Sequence, residues 1–385
     1  MAYKYYLNEP LIGEKEIEYV TDVLKQGWLS AGGPYTRKFE EAFAKIIGQK
    51  HALAVQSGTA ALHTALLAMG VGEGDSVVVP NYTCGSCATA VMQTNATPII
   101  VDVDAQNFGM NVAVLEEVLQ KKNVKAVMVV HVYGFPVKNF EKIVELCKKY
   151  KVFLLEDSSE AHGSMLHGRA IGSFGDMAVF SVRSEKMIGV GEGGLVLTSN
   201  AELYEKAKFY ASRAAIHCKP TDPWWHKYLC DAVGMNYLLP HTLGAIGFAQ
   251  VEKFPEILRR KRLIGEKYRA LFAGVAGLHL QEIAEGSNPC YWLNAIMLDT
   301  DENTVREIGK ELMSQGLEIR PAFWPLADMD VFKEFAYGPQ DKAMSIFQRL
   351  IVLPSSVKLA ENNGQAVEEI VEIVKKTLKK FDLGL

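Results

Sequence analysis

His51-Ala-Leu-Ala-Val-Gln56, running directly into Ser57-Gly58-Thr59-Ala-Ala-Leu62, is the stretch on which the fold turns. The first six residues read as a short strand. In the run that follows, Leu62, Ala65, Leu66 and Met69 recur on one face of a helix. A strand that enters a helix through a turn of small residues is the opening half of a βαβ unit. Bare amides and hydroxyls at such a helix start can hold a phosphate without any basic side chain. Ser-Gly-Thr is equally a good helix cap, so the stretch alone leaves both uses open.

The same rhythm continues outward. Strands are expected at Ser76 to Pro80, Thr97 to Val101, Ala126 to Val130, Val152 to Glu156, Met177 to Val182 and Leu195 to Thr198, with helical patterns such as Phe140 to Tyr150 between them. This is an α/β chain with a mainly parallel central sheet and helices on both faces, which binds ligands at the strands' carboxyl ends. Around Lys253 to Tyr268 a charged helix breaks the rhythm, and its charges read as a solvated face. A strand at Tyr291 to Leu298, a helix at Glu302 to Gln315, a strand-like Leu317 to Pro321 and a terminal helix at Gln365 to Phe381 follow. They suggest a large domain over 1–250 and a small C-terminal α+β domain over 251–385.

Composition narrows the class. The 385 residues hold 41 Lys and Arg against 45 Asp and Glu, a net charge of −4. That balance supplies no basic field for a nucleic-acid backbone. The start of the chain has no apolar run of a signal peptide, and no stretch reaches the roughly 20 apolar residues of a membrane span. Six cysteines are too sparse for a disulfide scaffold. A cytoplasmic enzyme without nucleic-acid or membrane partners is the expectation.

Two motifs mislead when read alone. Gly189-Val-Gly191-Glu-Gly193-Gly194 fits the dinucleotide fingerprint formally, which would make an NAD-dependent oxidoreductase. Yet six residues separate it from the preceding strand, and Leu195 to Thr198 continues as another strand instead of a helix. Cys84-Gly-Ser-Cys87 is a lone C-x-x-C. Cys147, Cys218, Cys230 and Cys290 are scattered singly and supply no second ligand pair, so no metal site is expected.

Three features do combine. They are the Ser57-Gly58-Thr59 turn, Asp157 at the end of an apolar strand, and Lys186 just past Phe180-Ser181. A carboxylate at a buried strand end must find a cation or raise its pKa, although Asp157 could also merely cap the next helix. Any single lysine is usually a solvated charge. A phosphate cradle, a strand-end aspartate and a strand-end lysine, in that order, are what pyridoxal phosphate requires. The lysine takes the aldehyde as a Schiff base, the aspartate keeps the ring nitrogen protonated, and the helix end binds the phosphate.

At this point the chain resembles the DegT/DnrJ-type sugar aminotransferases, pyridoxal-phosphate enzymes of fold type I, from about residue 8 to 380. The resemblance is carried by Gly27-Trp28-Leu29-Ser30, Ser57 to Leu62, Gly72-Glu-Gly74-Asp75 with Pro80, and Val132-Tyr-Gly134. Glu156-Asp157, Gly175-Asp176, Phe180-Ser181, Lys186, Gly191 to Gly194 and Gly234-Met-Asn236-Tyr237 complete it. Glu160-Ala161 and Gly191 to Gly194 look most like the perosamine-synthase branch, which aminates a GDP-linked 4-keto-6-deoxyhexose for surface polysaccharide.

The resemblance implies that Lys186 forms the internal aldimine and shuttles the proton, and that Asp157 pairs with the pyridinium nitrogen. It implies that Glu160 lies near the ring's phenolic oxygen and that Ser57, Gly58, Thr59 and Ser181 hold the phosphate. Asn236 would reach the phosphate of a partner subunit, making a homodimer with shared active sites. Glutamate would be the amino donor, with pyridoxamine phosphate as the half-reaction form. Cys84 stands where the family commonly stacks an aromatic or histidine on the ring. Trp28, Ser30 and Trp324 are candidate substrate contacts, Trp324 and Ala327 standing where many members carry histidines. Arg183 and Arg320 could bind an acidic or small phosphorylated keto compound in place of a nucleotide sugar, or be ordinary salt-bridged arginines.

Overall fold

The structure is a computed structural model that describes residues 3–215 and 229–383; Cys218 lies outside them. Strands β1 (His51–Val55), β2 (Ser76–Pro80), β3 (Thr97–Val101), β4 (Ala126–Val130), β5 (Phe153–Asp157), β6 (Met177–Ser181) and β7 (Gly194–Thr198) form one sheet. Their order is β1-β7-β6-β5-β4-β2-β3, and Ala336–Tyr337 adds an eighth strand beside β3. All pairings are parallel except those of β7, which runs antiparallel to both β1 and β6. The mainly parallel α/β sheet expected from the apolar runs is therefore present. All seven strands carry four or five buried residues in a row, as strands covered on both faces must.

The helix Gly58–Ala68 packs into this core nearly all round, not by a single stripe. Besides the expected Leu62, Ala65 and Leu66, it buries Ala60, Ala61, His63, Thr64 and Ala68. Small residues let it lie close against the sheet, and Ser57 Oγ caps it by accepting from the Ala60 N–H at 3.0 Å.

A second, antiparallel sheet orders Leu278–Leu280, Asn294–Leu298, Leu350–Leu353 and Arg320–Pro321. Two strand expectations shorten here. Tyr291 sits at φ 54°, so extended structure begins only at Asn294, and Leu317 forms a lone parallel bridge to Tyr5 outside the short strand that holds Arg320. A larger correction concerns the charged helix, Phe254–Phe272. Its face is not simply solvated: Lys261 is completely buried, in line with Phe254, Ile257, Ile264, Tyr268 and Phe272. Among the described residues no helix is long and apolar enough to cross a membrane.

One buried acid makes folding sensitive to pH. Glu40, on the helix Pro34–Ile47, accepts the Ala54 N–H of β1 at 2.7 Å, and burial pushes its carboxyl up to about 7. A raised acid contributes stability that is complete below its ordinary value of 4.5 and lost as pH rises through about 7. Because a small part of the side chain still reaches solvent, this amounts to about 1–2 kcal/mol. Glu40→Gln keeps an acceptor for Ala54 but never ionises. It should raise the melting temperature relative to the parent at pH 8 and leave it unchanged at pH 5. Equal displacement at both pH values would contradict this.

Candidate active site

At the carboxyl ends of β1, β4, β5 and β6 lies a cavity of about 280 Å³. Eight of the nine residues expected to bind cofactor line it: Ser57, Gly58, Thr59, Cys84, Asp157, Glu160, Ser181 and Lys186. They come from segments up to 129 positions apart, brought together because parallel strands deliver all their carboxyl ends to one edge of the sheet.

One end of the cavity is built from backbone. The first-turn amides of Gly58 and Thr59 have no intrahelical carbonyl to reach, and the Ser57 oxygen accepts from the Ala60 N–H while its own proton is left to donate. Thr59 Oγ1 donates to Ser86 Oγ at 3.1 Å, and Ser86 opens the next helix, Ser86–Gln93. A Cβ added to Gly58 would come within 3.0 Å of Ser181 Cβ, closing the cradle. These free amides and flanking hydroxyls suit a phosphate at a helix N-terminus.

The other end is ionic. Strand alternation sends Glu156 and Asp157 to opposite faces of β5. Glu156 is structural: its carboxylate accepts the N–H groups of Gly172, Phe174 and Gly175 at 2.6–2.7 Å. Asp157 faces the cavity, where Oδ1 accepts the Ser159 N–H at 3.1 Å and Oδ2 accepts the Cys87 thiol at 3.2 Å. Burial holds that thiol protonated by pushing its pKa well up, so Cys87 stays a donor. The C-x-x-C pair is thus divided: Cys87 is buried under Asp157, whereas Cys84 is exposed at the cavity wall, 3.3 Å from Ser86 Oγ.

Lys186 Nζ lies 3.4 Å from Glu160 Oε1 and 3.5 Å from the centre of the Trp292 ring. A cation over an indole face in a dry site is a favourable placement. Burial raises the pKa of Glu160, opposed first by the Lys186 charge and then by the Tyr133 N–H, 2.7 Å from Oε2. Tyr133 aims that N–H from a left-handed backbone, φ 57°, which is uncommon for a bulky residue. Nearby His162 is held neutral, its pKa driven down to about 3 by burial and by the Lys186 charge.

The glycine run now has a different meaning. Residues 182–193 leave β6 and return to β7 as a loop laced by Val182 N–H to Gly193 O, Ser184 N–H to Gly191 O and Val190 N–H to Val182 O. No helix follows, so the dinucleotide geometry is not built. Gly194 instead lies under the cradle, where an added Cβ would come 2.3 Å from Ser57 O and 2.9 Å from Gly58 N. Both are backbone atoms and cannot step aside cheaply. Gly194→Ala should therefore cost about 2–3 kcal/mol of stability. It should also weaken cofactor retention about 10-fold or more, read by cofactor titration and melting. Unchanged retention would remove Gly194 from the cradle.

The remaining expected residues lie elsewhere. Asn236 is exposed, bridged to Ser212, and outside this chain's cavity. Trp28 and Ser30 are exposed near His241 and do not line the cavity. Trp324 donates to Asp328 at 2.8 Å and packs on Phe347, lining a separate groove that Arg320 shares. Arg183 does line the cavity, paired with Glu192 at 3.2 Å and Glu185 at 3.6 Å; Arg320 reaches Glu185 at 3.1 Å. Both arginines are thus salt-bridged. Sequence reading missed Ser86, Ser159, Glu185 and Glu192 at the wall, Trp292 behind Lys186, and the Tyr133 amide. Ser86 had a visible signal, since Pro80 ends a strand and a second helix start follows it. Trp292 had none.

The profile of the DegT/DnrJ/EryC1/StrS aminotransferase family matches residues 10–375. The chain is 36% identical over 353 residues to the GDP-perosamine synthase of Escherichia coli O157:H7, covering 91% of this chain and 93% of that one. It is 32% identical over 369 residues to the GDP-perosamine synthase of Vibrio cholerae, covering 95% and 97%. Among solved structures, the aminotransferase TlmJ from Streptoalloteichus hindustanus superimposes with a TM-score of 0.87 at 28% identity, covering 98% of this chain and 100% of the other.

Proposed function

Because the chain belongs to the DegT/DnrJ/EryC1/StrS aminotransferase family, we propose that it moves an amino group from glutamate to a nucleotide-linked 4-keto-6-deoxyhexose, yielding 2-oxoglutarate and an amino sugar for surface polysaccharide. It is an aminotransferase, and its cofactor is pyridoxal phosphate. The observation that carries the acceptor is the 36% identity, over 91% of the chain, to an enzyme named for GDP-perosamine.

The cavity's donor set fits the cofactor: open amides and hydroxyls at one end, a buried aspartate and lysine at the other. When bound, the cofactor supplies an electron sink for the carbon that loses and regains a proton. Gly58, Thr59, Ser57 and Ser181 would hold its phosphate, and Asp157 would accept from the ring nitrogen. Lys186 would hold the cofactor through Nζ, and its amine would take and return the proton in both half-reactions. Glu160, whose charged form that same lysine favours, orients Nζ from 3.4 Å. In this reading the exposed Asn236 reaches the phosphate of a second copy, and a homodimer working in the cytoplasm is the active unit.

Arg183 and Arg320 are already paired with Glu185 and Glu192, so their charges are partly spent on the protein itself and do not by themselves call for a small acidic ketone. Enzyme loaded with pyridoxamine phosphate can be offered GDP- and dTDP-linked 4-keto-6-deoxyhexoses and small phosphorylated ketones, with return of near-visible absorption as the readout. The GDP-linked sugar should respond fastest. A response confined to the phosphorylated ketone would overturn the assignment.

A further inference from the structure

Lys261 is buried to 0% exposure in the middle of the Phe254–Phe272 helix. Its Nζ donates to Asn8 Oδ1 and to the Trp292 carbonyl at 2.8 Å each, and also to the Ser355 carbonyl. These acceptors come from the N-terminal arm, from the turn before Asn294–Leu298 and from the segment after Leu350–Leu353. None is a carboxylate. A buried ammonium held only by neutral acceptors is an expensive way to fill space, and an apolar side chain of similar volume would often serve stability as well or better. Burial pushes its pKa down to about 7. What the ammonium supplies is geometry.

That geometry leads straight to the active site. Asn8 Nδ2, on the amide whose oxygen Lys261 grips, donates to the Glu185 carbonyl. The indole of Trp292, whose carbonyl Lys261 also grips, donates to the same Glu185 oxygen at 2.7 Å. Glu185 immediately precedes Lys186, and the Trp292 ring is the surface on which Lys186 Nζ rests at 3.5 Å. The backbone before the lysine and the platform beneath its amine are therefore both tied to one atom, Lys261 Nζ.

We propose that Lys261 is a positioning residue for the cofactor lysine: by holding Asn8 and Trp292 together, it fixes the Glu185 carbonyl and the indole face that set where Lys186 Nζ points. The proposal rests on Lys186 being the cofactor lysine. Lysines buried elsewhere could fasten a domain together, but such a fastening would not touch both the residue before Lys186 and its ring contact.

The test uses full-length enzyme loaded with pyridoxal phosphate, comparing the parent with Lys261→Met, Trp292→Phe and Asn8→Ala. Trp292→Phe keeps a ring and the main-chain carbonyl but loses the indole donor; Asn8→Ala cuts the other link. The readouts are the pH midpoint of the near-visible band of lysine-bound cofactor, kcat and KM per loaded enzyme, and melting temperature. Lys261→Met should move the midpoint by about half a pH unit or more and lower kcat about tenfold with KM within about threefold, as expected when a reacting amine is misplaced but the binding contacts persist. Trp292→Phe should move the midpoint in the same direction. A purely structural role predicts a lower melting temperature with midpoint and kcat unchanged, and that result overturns the proposal. If Lys261→Met does not fold, an unmoved midpoint in both other variants overturns it instead. A parent enzyme with no such band defeats the cofactor-lysine reading itself, and the positioning role with it.

Discussion

Lys186→Ala should abolish amino transfer, lowering kcat by about 10⁴-fold or more, and remove the near-visible band while leaving the phosphate cradle able to hold cofactor. Among the described residues no other lysine lines the cavity. Glu160 cannot take over as base. Its pKa is already raised by burial, and the strongest force holding it down is the Lys186 charge, so loss of that charge raises it further. Its ionised form, the one that could act as a base, is thereby further disfavoured. Lys186→Arg separates the two duties of the residue. A guanidinium keeps a cation for the Trp292 face and for Glu160, but it does not deprotonate and cannot bond an aldehyde. Lys186→Arg should therefore be as inactive as Lys186→Ala but melt at a higher temperature. More than about 1% of parental kcat in either variant would show that the amine at 186 is not the reacting one.

The βα rhythm was readable because each strand is an unbroken apolar run buried on both faces, and the order of cradle, aspartate and lysine along the chain survives folding into one cavity. The choice between Glu156 and Asp157 follows from strand alternation once the strand end is located. The helix around Lys261 carried a signal that charge counting hid. Phe254, Ile257, Ile264, Tyr268 and Phe272 mark an apolar stripe at helical spacing, and Lys261 falls on it four residues after Ile257 and three before Ile264. A lysine on that stripe has to go inward. Trp292 and the Tyr133 amide were beyond reach for another reason. Each contacts Lys186 or Glu160 across a separation that no local pattern encodes, Trp292 from 106 positions away, and Tyr133 contributes a backbone group aimed by its φ of 57°. The placement of Arg183 and Arg320 depended on Glu185, which two arginines share and which nothing in its neighbourhood marks out.

Asp157→Asn should lower kcat/KM by about 10²–10³-fold with the protein folded to within about 1 kcal/mol of the parent. No helix directly follows Asp157, so the cap expected from its place at the strand end is not built; the residue closes a turn instead. The variant separates that turn role from the ring-nitrogen role, because the two depend on different properties of the side chain. The turn contact is Oδ1 accepting the Ser159 N–H at 3.1 Å, and an asparagine oxygen accepts that bond equally well. If the turn were all that Asp157 held, the substitution would be nearly silent. Toward the cavity the two residues are opposites. The carboxylate offers lone pairs and a negative charge to a protonated ring nitrogen. The asparagine amide, with its oxygen turned to Ser159, presents N–H groups that repel that proton and favour the neutral ring, which draws electrons weakly. Cys87 adds a second consequence. Its thiol now donates to Oδ2 at 3.2 Å, and facing an amide N–H it must become an acceptor; the Thr83 hydroxyl, 3.3 Å from Cys87 Sγ, can turn to suit. The cost to folding is therefore small even though the charge is buried. Cofactor affinity should fall less than tenfold, since the phosphate contacts lie at the other end of the cavity. Stopped-flow measurement of the glutamate half-reaction gives the decisive number. A rate within about fivefold of the parent would assign Asp157 to the Ser159 turn alone, and the electron-sink chemistry would have to draw on another acid.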